Sequence, residues 1–301
     1  SRFREFNFFC PASGTVYISS IAFALIPLPF IVSVHSIAFM NALLGALTYL
    51  YFHIKKIFTE FSKNFFLFYP SFILYNGCGV RDIFIMCFMI IAWFYLIEDK
   101  NIFLFFLCII ALFLIKPHNA AILLICFIIS FYKGNKWYHY LGIIVAALGA
   151  FAVFGQPILD ELNFYRRAMF AEDGGKGKIP EITMDLNGLT EAFLSFVYFP
   201  LKPLPWEAGN AFQLIQSIEN SILFFIMSMI FFSKPLESEK NRFRLLKIFI
   251  IVSFAIYGLV VFNYGTAARY RFPFIVLFVV FGAKYTNFQS LMNRVPIRIR
   301  L

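Results

Sequence analysis

Arg269 and Arg271 flank Tyr270 in the run Asn263-Tyr264-Gly265-Thr266-Ala267-Ala268-Arg269-Tyr270-Arg271-Phe272-Pro273, where one long apolar segment ends and another begins. A charged side chain at membrane depth is costly, so it is usually paired or functional. A guanidinium keeps its charge at any physiological pH and matches phosphate geometry with two parallel donors. Beside Tyr264 and the Gly-Thr-Ala-Ala lead-in, the pair points to binding of a phosphate or diphosphate near a bilayer surface. The structural alternative is that both arginines snorkel and anchor a span.

Three further clusters bear on the same chemistry. Arg81-Asp82 follows Gly77-Cys78-Gly79 and opens an apolar segment. Glycines let backbone approach a ligand, and a helix N-terminus favours an anion, so Arg81 suits phosphate while Asp82 suits an N-cap. In Lys116-Pro117-His118-Asn119, Lys116 suits phosphate and His118 suits proton transfer, against a plain polar turn. Arg166-Arg167 share an amphipathic stretch with Asp160 and Glu161, where attraction to lipid headgroups competes with substrate contact. Trp206-Glu207 is either an interfacial anchor or a sugar-stacking tryptophan beside a carboxylate.

Asp82, Asp160, Glu161 and Glu207 are the candidate bases for deprotonating an acceptor hydroxyl. The sequence has no phosphate-loop glycine motif, no His-Glu-x-x-His and no nucleophile elbow. Its 5 cysteines are odd in number and lack metal spacing, so neither a disulfide frame nor a zinc site is expected. No cofactor is implied; a divalent metal would have no sequence signature here.

The elements that must carry these residues are membrane helices. The chain is 61% hydrophobic and 14% charged, against roughly a quarter charged in soluble domains. A net charge of +10 invites a nucleic-acid partner, but the basic residues are scattered between apolar segments instead of forming a face. The expected fold is an all-α polytopic transmembrane bundle of about ten spans, at 14–32, 35–53, 64–77, 83–97, 101–115, 118–132, 138–155, 220–233, 246–262 and 272–284. It forms one transmembrane domain over 1–301. Most of the 26 lysines and arginines fall in one set of connections, which marks that set, with both chain ends, as cytoplasmic. The opposite, outer face carries Arg81, Lys116, Arg166, Arg167, Arg269 and Arg271. It also carries a long loop over 156–219, with helices expected at 157–172, 187–199 and 208–219. Helix 187–199 is too short to span and is expected to lie in the interface.

The order of features along the chain resembles the glycosyltransferase-C superfamily of polytopic bacterial enzymes. It equally resembles their exopolysaccharide and O-antigen polymerase-like relatives. The resemblance rests on Asn41-x-x-x-Gly45, Phe68-Tyr69-Pro70-Ser71 followed by Arg81-Asp82, Lys116-Pro117, Pro203-Leu204-Pro205-Trp206-Glu207 and Arg269-Tyr270-Arg271-Phe272-Pro273. It implies a sugar donor linked to polyprenyl phosphate or diphosphate, used on the outer face of the inner membrane among membrane lipids. Arg81, Lys116, Arg269 and Arg271 would then stabilise the leaving phosphate. The family's catalytic carboxylate lies in the first outer loop, whereas the earliest outer connection here, Ser33-Val34-His35, holds none. Either that loop lies upstream of Ser1, or another carboxylate serves, or the chain lacks the activity. A transporter or flippase for a lipid-linked or anionic saccharide is the alternative. The near absence of charge inside the spans counts against it. A membrane scaffold subunit is a third reading.

Overall fold

A computed structural model describes residues 34–77, 82–131, 156–157, 159–168, 170, 181–183, 185–261 and 264–288. Among these residues the structure is all-α, with eleven helices. They are α1 (Val34–Ile54), α2 (Glu60–Phe68), α3 (Pro70–Gly77), α4 (Asp82–Ile97), α5 (Ile102–Ile115), α6 (Pro117–Phe131), α7 (159–168), α8 (Leu186–Tyr198), α9 (Ala211–Phe232), α10 (Lys240–Val260) and α11 (Tyr264–Tyr285). Short 3-10 turns at Pro205–Glu207 and Glu237–Glu239 precede α9 and α10.

Three helices among the described residues, not about ten, are long and apolar enough to cross a membrane: Ala211–Phe232, Glu237–Val260 and Tyr264–Tyr285. The other apolar helices run to 10–17 residues, within Ala38–Ile54, Asp82–Ile97, Ile102–Ile115 and Pro117–Ser130. The expected segments 14–32 and 138–155 lie outside the described residues. Local chemistry breaks one of the others. The expected span 64–77 is cut in two because Pro70 forces Tyr69 into an extended conformation (φ −66°, ψ 113°), ending α2. The start of α2 is fixed by a capping box, with Ser62 N–H donating to Thr59 Oγ1 at 3.2 Å and Thr59 N–H donating to Ser62 Oγ at 2.9 Å. Asn101 caps α5 by accepting from Leu104 N–H at 3.2 Å, and Pro117 stops it by keeping Lys116 out of the helical region (φ −152°, ψ 87°).

The chain divides into two compact units, and α6, α9, α10 and α11 contribute residues to both. The first holds α1 to α5 and an aromatic core in which Trp93, Phe52, Phe281 and Tyr285 are fully buried. In it, Asn41 is buried on α1, and Gly45 one turn on lets the Asn76 amide of α3 lie where a Cβ would stand 2.5 Å from its oxygen. Glu98, just past α4, takes Lys284 of α11 at 2.7 Å and Arg242 of α10 at 3.4 Å, while Arg242 also pairs with Glu239 at 2.9 Å.

The second unit holds α7, α8, the first part of α9, most of α10 and the first turns of α11. Phe199, at the end of α8, packs on Phe254 and Tyr257 of α10. The approach of α8 to α10 depends on Gly258: a Cβ there would lie 2.6 Å from the Ser195 carbonyl oxygen and 3.1 Å from Phe196 Cα. Both neighbours are backbone and cannot swing aside. Gly258→Ala should therefore cost about 1–3 kcal/mol, as overpacking does. Thermal unfolding of the purified chain checks this; an unchanged Tm contradicts the contact.

Candidate functional site

The prolines after α8 dictate where the polar groups of the second unit go. Pro200, Pro203 and Pro205 lack N–H groups, so the connector 199–207 cannot continue the helix. The Tyr198 carbonyl at the end of α8 accepts from Leu201 N–H at 3.0 Å and Lys202 N–H at 2.9 Å, which leaves the carbonyls of Phe199, Pro200 and Lys202 to take donors from elsewhere. Arg271 supplies them. Its side chain is only 1% exposed, and Nη1 donates to the carbonyls of Phe199 at 3.0 Å, Pro200 at 3.3 Å and Lys202 at 2.7 Å. Nη2 donates to Asn220 Oδ1 on α9, and Asn220 Nδ2 donates to the same Lys202 carbonyl at 2.9 Å. One carbonyl is thus gripped by two residues from two helices.

Beyond the grip the connector ends in the Pro205–Glu207 turn, where Glu207 Oε2 accepts from Leu204 N–H at 3.0 Å. The Glu207 carboxylate lies near enough to the Tyr264 hydroxyl to interact with it electrostatically. Gln216 of α9 donates to the Tyr264 carbonyl at 3.4 Å. Tyr264 and Arg271 are seven residues apart, two helical turns, and so share a face of α11. That face holds both ends of the connector. Arg269 stands on a different face and is half-buried. Tyr270 meets Tyr257 edge-on at 5.5 Å. Lys202 Nζ covers the Tyr198 ring at 4.9 Å.

Both arginines were expected in a connection between spans. They lie inside a 22-residue helix instead, because Ala267, Ala268 and their neighbours continue α11 toward its N-terminus to Tyr264. Pro273, on the same helix, cannot donate to the Arg269 carbonyl four residues back.

Arg166 also turns inward. It is 1% exposed and donates from Nη1 to the Leu259 carbonyl at 2.5 Å. Burial pulls its guanidinium below the ordinary value, and the Glu191 carboxylate opposes that. Such a side chain does not reach lipid headgroups. Its neighbour Arg167 is exposed and pairs with Glu181 at 3.2 Å. Asp160 and Glu161 are exposed on α7, and Asp160 accepts from Gln156 at 3.0 Å. In the first unit, Asp82 is buried at the start of α4, Lys116 is half-buried as the C-cap of α5, and His118 is exposed at the start of α6. Arg81 lies outside the described residues. Among the described residues no three His, Cys, Asp or Glu side chains gather to hold a metal.

Asn220 and Gln216 escaped the sequence reading. The signal was present: Gln213, Gln216, Ser217 and Asn220 recur at helical spacing along the first half of an otherwise apolar segment. The chain matches no protein-family model, no curated protein and no solved structure.

Asp185 caps α8 by accepting from Gly188 N–H at 2.8 Å. The Thr183 hydroxyl first, and that amide second, hold its carboxyl below the usual 3.8. A depressed carboxylate stabilises the fold above its unfolded pKa and loses that contribution as pH falls through the folded one. The Gly188 amide should keep its protection from neutral pH down to 3.8 and lose it below. Asp185→Asn should remove that pH dependence. Exchange followed by NMR checks both; loss of protection already near pH 6 contradicts the cap.

Proposed function

We propose that this chain is an integral membrane glycosyltransferase or polysaccharide-assembly enzyme. It uses a sugar donor linked to polyprenyl phosphate or diphosphate, on the outer face of a bacterial inner membrane. The observation that carries this reading is the Glu207 carboxylate beside Tyr264 at the N-terminus of α11, the helix whose second turn bears Arg269. A carboxylate next to a positive helix terminus and a guanidinium suits transfer with an anionic leaving group.

In this reading Glu207 removes the proton of an acceptor hydroxyl. The acceptor oxygen bonds to the anomeric carbon as the bond from that carbon to the phosphate oxygen breaks. The polyprenyl phosphate or diphosphate leaves, its charge stabilised by Arg269 and the α11 terminus. Arg271 is not assigned to phosphate, because carbonyls and Asn220 already occupy its guanidinium. The membrane setting is supported by α9, whose Phe212, Ile215, Ile222, Phe225 and Phe232 are all exposed. So continuous an apolar face suits lipid better than water.

The test is sugar transfer by the purified chain from a polyprenyl-diphosphate sugar. Glu207→Gln should lower kcat by about a hundredfold or more, the usual worth of a general base. Arg269→Gln should lower kcat/KM for the donor. Transfer unchanged by both substitutions overturns the assignment. Saturable movement of the lipid-linked sugar without bond change would identify a flippase instead.

A further inference from the structure

Arg271 is buried and holds four acceptors in the second unit, yet the transfer reading gives it no contact with substrate. The structure assigns it a positioning role: Arg271, bracketed by Asn220, is the clasp that fixes the 199–207 connector and so sets Glu207 against Tyr264. Three observations converge on this. The guanidinium spends its donors on Phe199, Pro200 and Lys202 carbonyls and on Asn220, all within the second unit. Asn220 closes the bracket through the Lys202 carbonyl. Tyr264 takes the other end of the connector from the same face of α11, about 10 Å along the axis.

The acceptors explain why an arginine stands here. Phe199 is the C-cap of α8, so its carbonyl lies at the negative end of that helix. The carbonyls of Phe199, Pro200 and Lys202 lie along the turn that follows α8, where the Leu201 and Lys202 N–H groups donate back to the Tyr198 carbonyl. The guanidinium serves two sets of acceptors at once, Nη1 on the three carbonyls and Nη2 on Asn220 Oδ1; a lysine ammonium carries all its donors on one atom and cannot hold the carbonyls and Asn220 together. The guanidinium ties the turn of the connector to α11, while Asn220 adds a second hold at the Lys202 carbonyl. The connector's position, and with it the position of Glu207, is set from α11.

The catalytic consequence rests on the transfer reading, whereas the clasp does not, so the experiment reads them separately. Amide exchange over 199–207 is measured on the full chain as wild type, Arg271→Lys, Arg271→Gln and Asn220→Ala. Loss of each charge-assisted hydrogen bond should speed connector exchange about tenfold. Both Arg271 variants should show this while the second half of α11 exchanges as in the wild type. Asn220→Ala should show a smaller rise in the same segment. If an Arg271 variant does not fold, the Asn220→Ala result decides, and an unchanged connector overturns the clasp.

In the transfer assay the Arg271 variants should lose kcat with little change in donor KM, and Arg271→Lys should not rescue Arg271→Gln. A rise in donor KM with unchanged connector exchange, rescued by lysine, would show a phosphate contact and overturn the proposal. Faster connector exchange in a chain that transfers no sugar would leave the clasp standing and remove the transfer reading.

Discussion

A buried guanidinium with nowhere else to put its charge organises the second unit. Arg271 stands on an apolar helix at 1% exposure, and an unpaired cation there would cost several kcal/mol. The neighbouring segment has the opposite problem, since its prolines leave carbonyls without partners. The two deficits cancel when α11 passes beside the 199–202 stretch. The path of the 199–202 stretch beside α11 follows from that meeting.

Helix α11 is mostly buried despite its length: 83% of its most apolar window is covered, against 28% for α9. Its polar residues are held where they occur. Arg271 goes to carbonyls in the second unit, and Lys284 goes to Glu98 in the first. By contrast, α9 leaves much of its apolar surface exposed. Pro273 removes a backbone hydrogen bond one turn after Arg269, so side-chain contacts matter more there than in an unbroken helix.

Helix types and several boundaries were legible in the sequence. The amphipathic stretches over 157–172 and 187–199 do form helices at 159–168 and Leu186–Tyr198, since their apolar residues follow a helical period. Span number was not legible. Hydropathy sees an apolar run at 64–77, but Pro70 breaks it, and composition alone does not register one residue's backbone constraint. The arginines were recognised as important for a sound reason, namely that charge in an apolar segment needs a partner. For Arg271 the partners in the structure are the chain's own carbonyls and Asn220. Hydropathy cannot say whether a guanidinium meets a ligand's phosphate or the chain's own carbonyls, because the connector lies some seventy residues away in sequence. Asn220 was missed because one amide barely lowers the hydropathy of its segment.

The central claim is that Arg271 belongs to the protein's own backbone and not to a phosphate. A density map of the chain with a polyprenyl diphosphate bound tests it most directly. The account predicts that the guanidinium remains on the carbonyls of Phe199, Pro200 and Lys202, with phosphate oxygens against Arg269 and the start of α11. A map in which the Arg271 guanidinium has left those carbonyls to grip the diphosphate would contradict it.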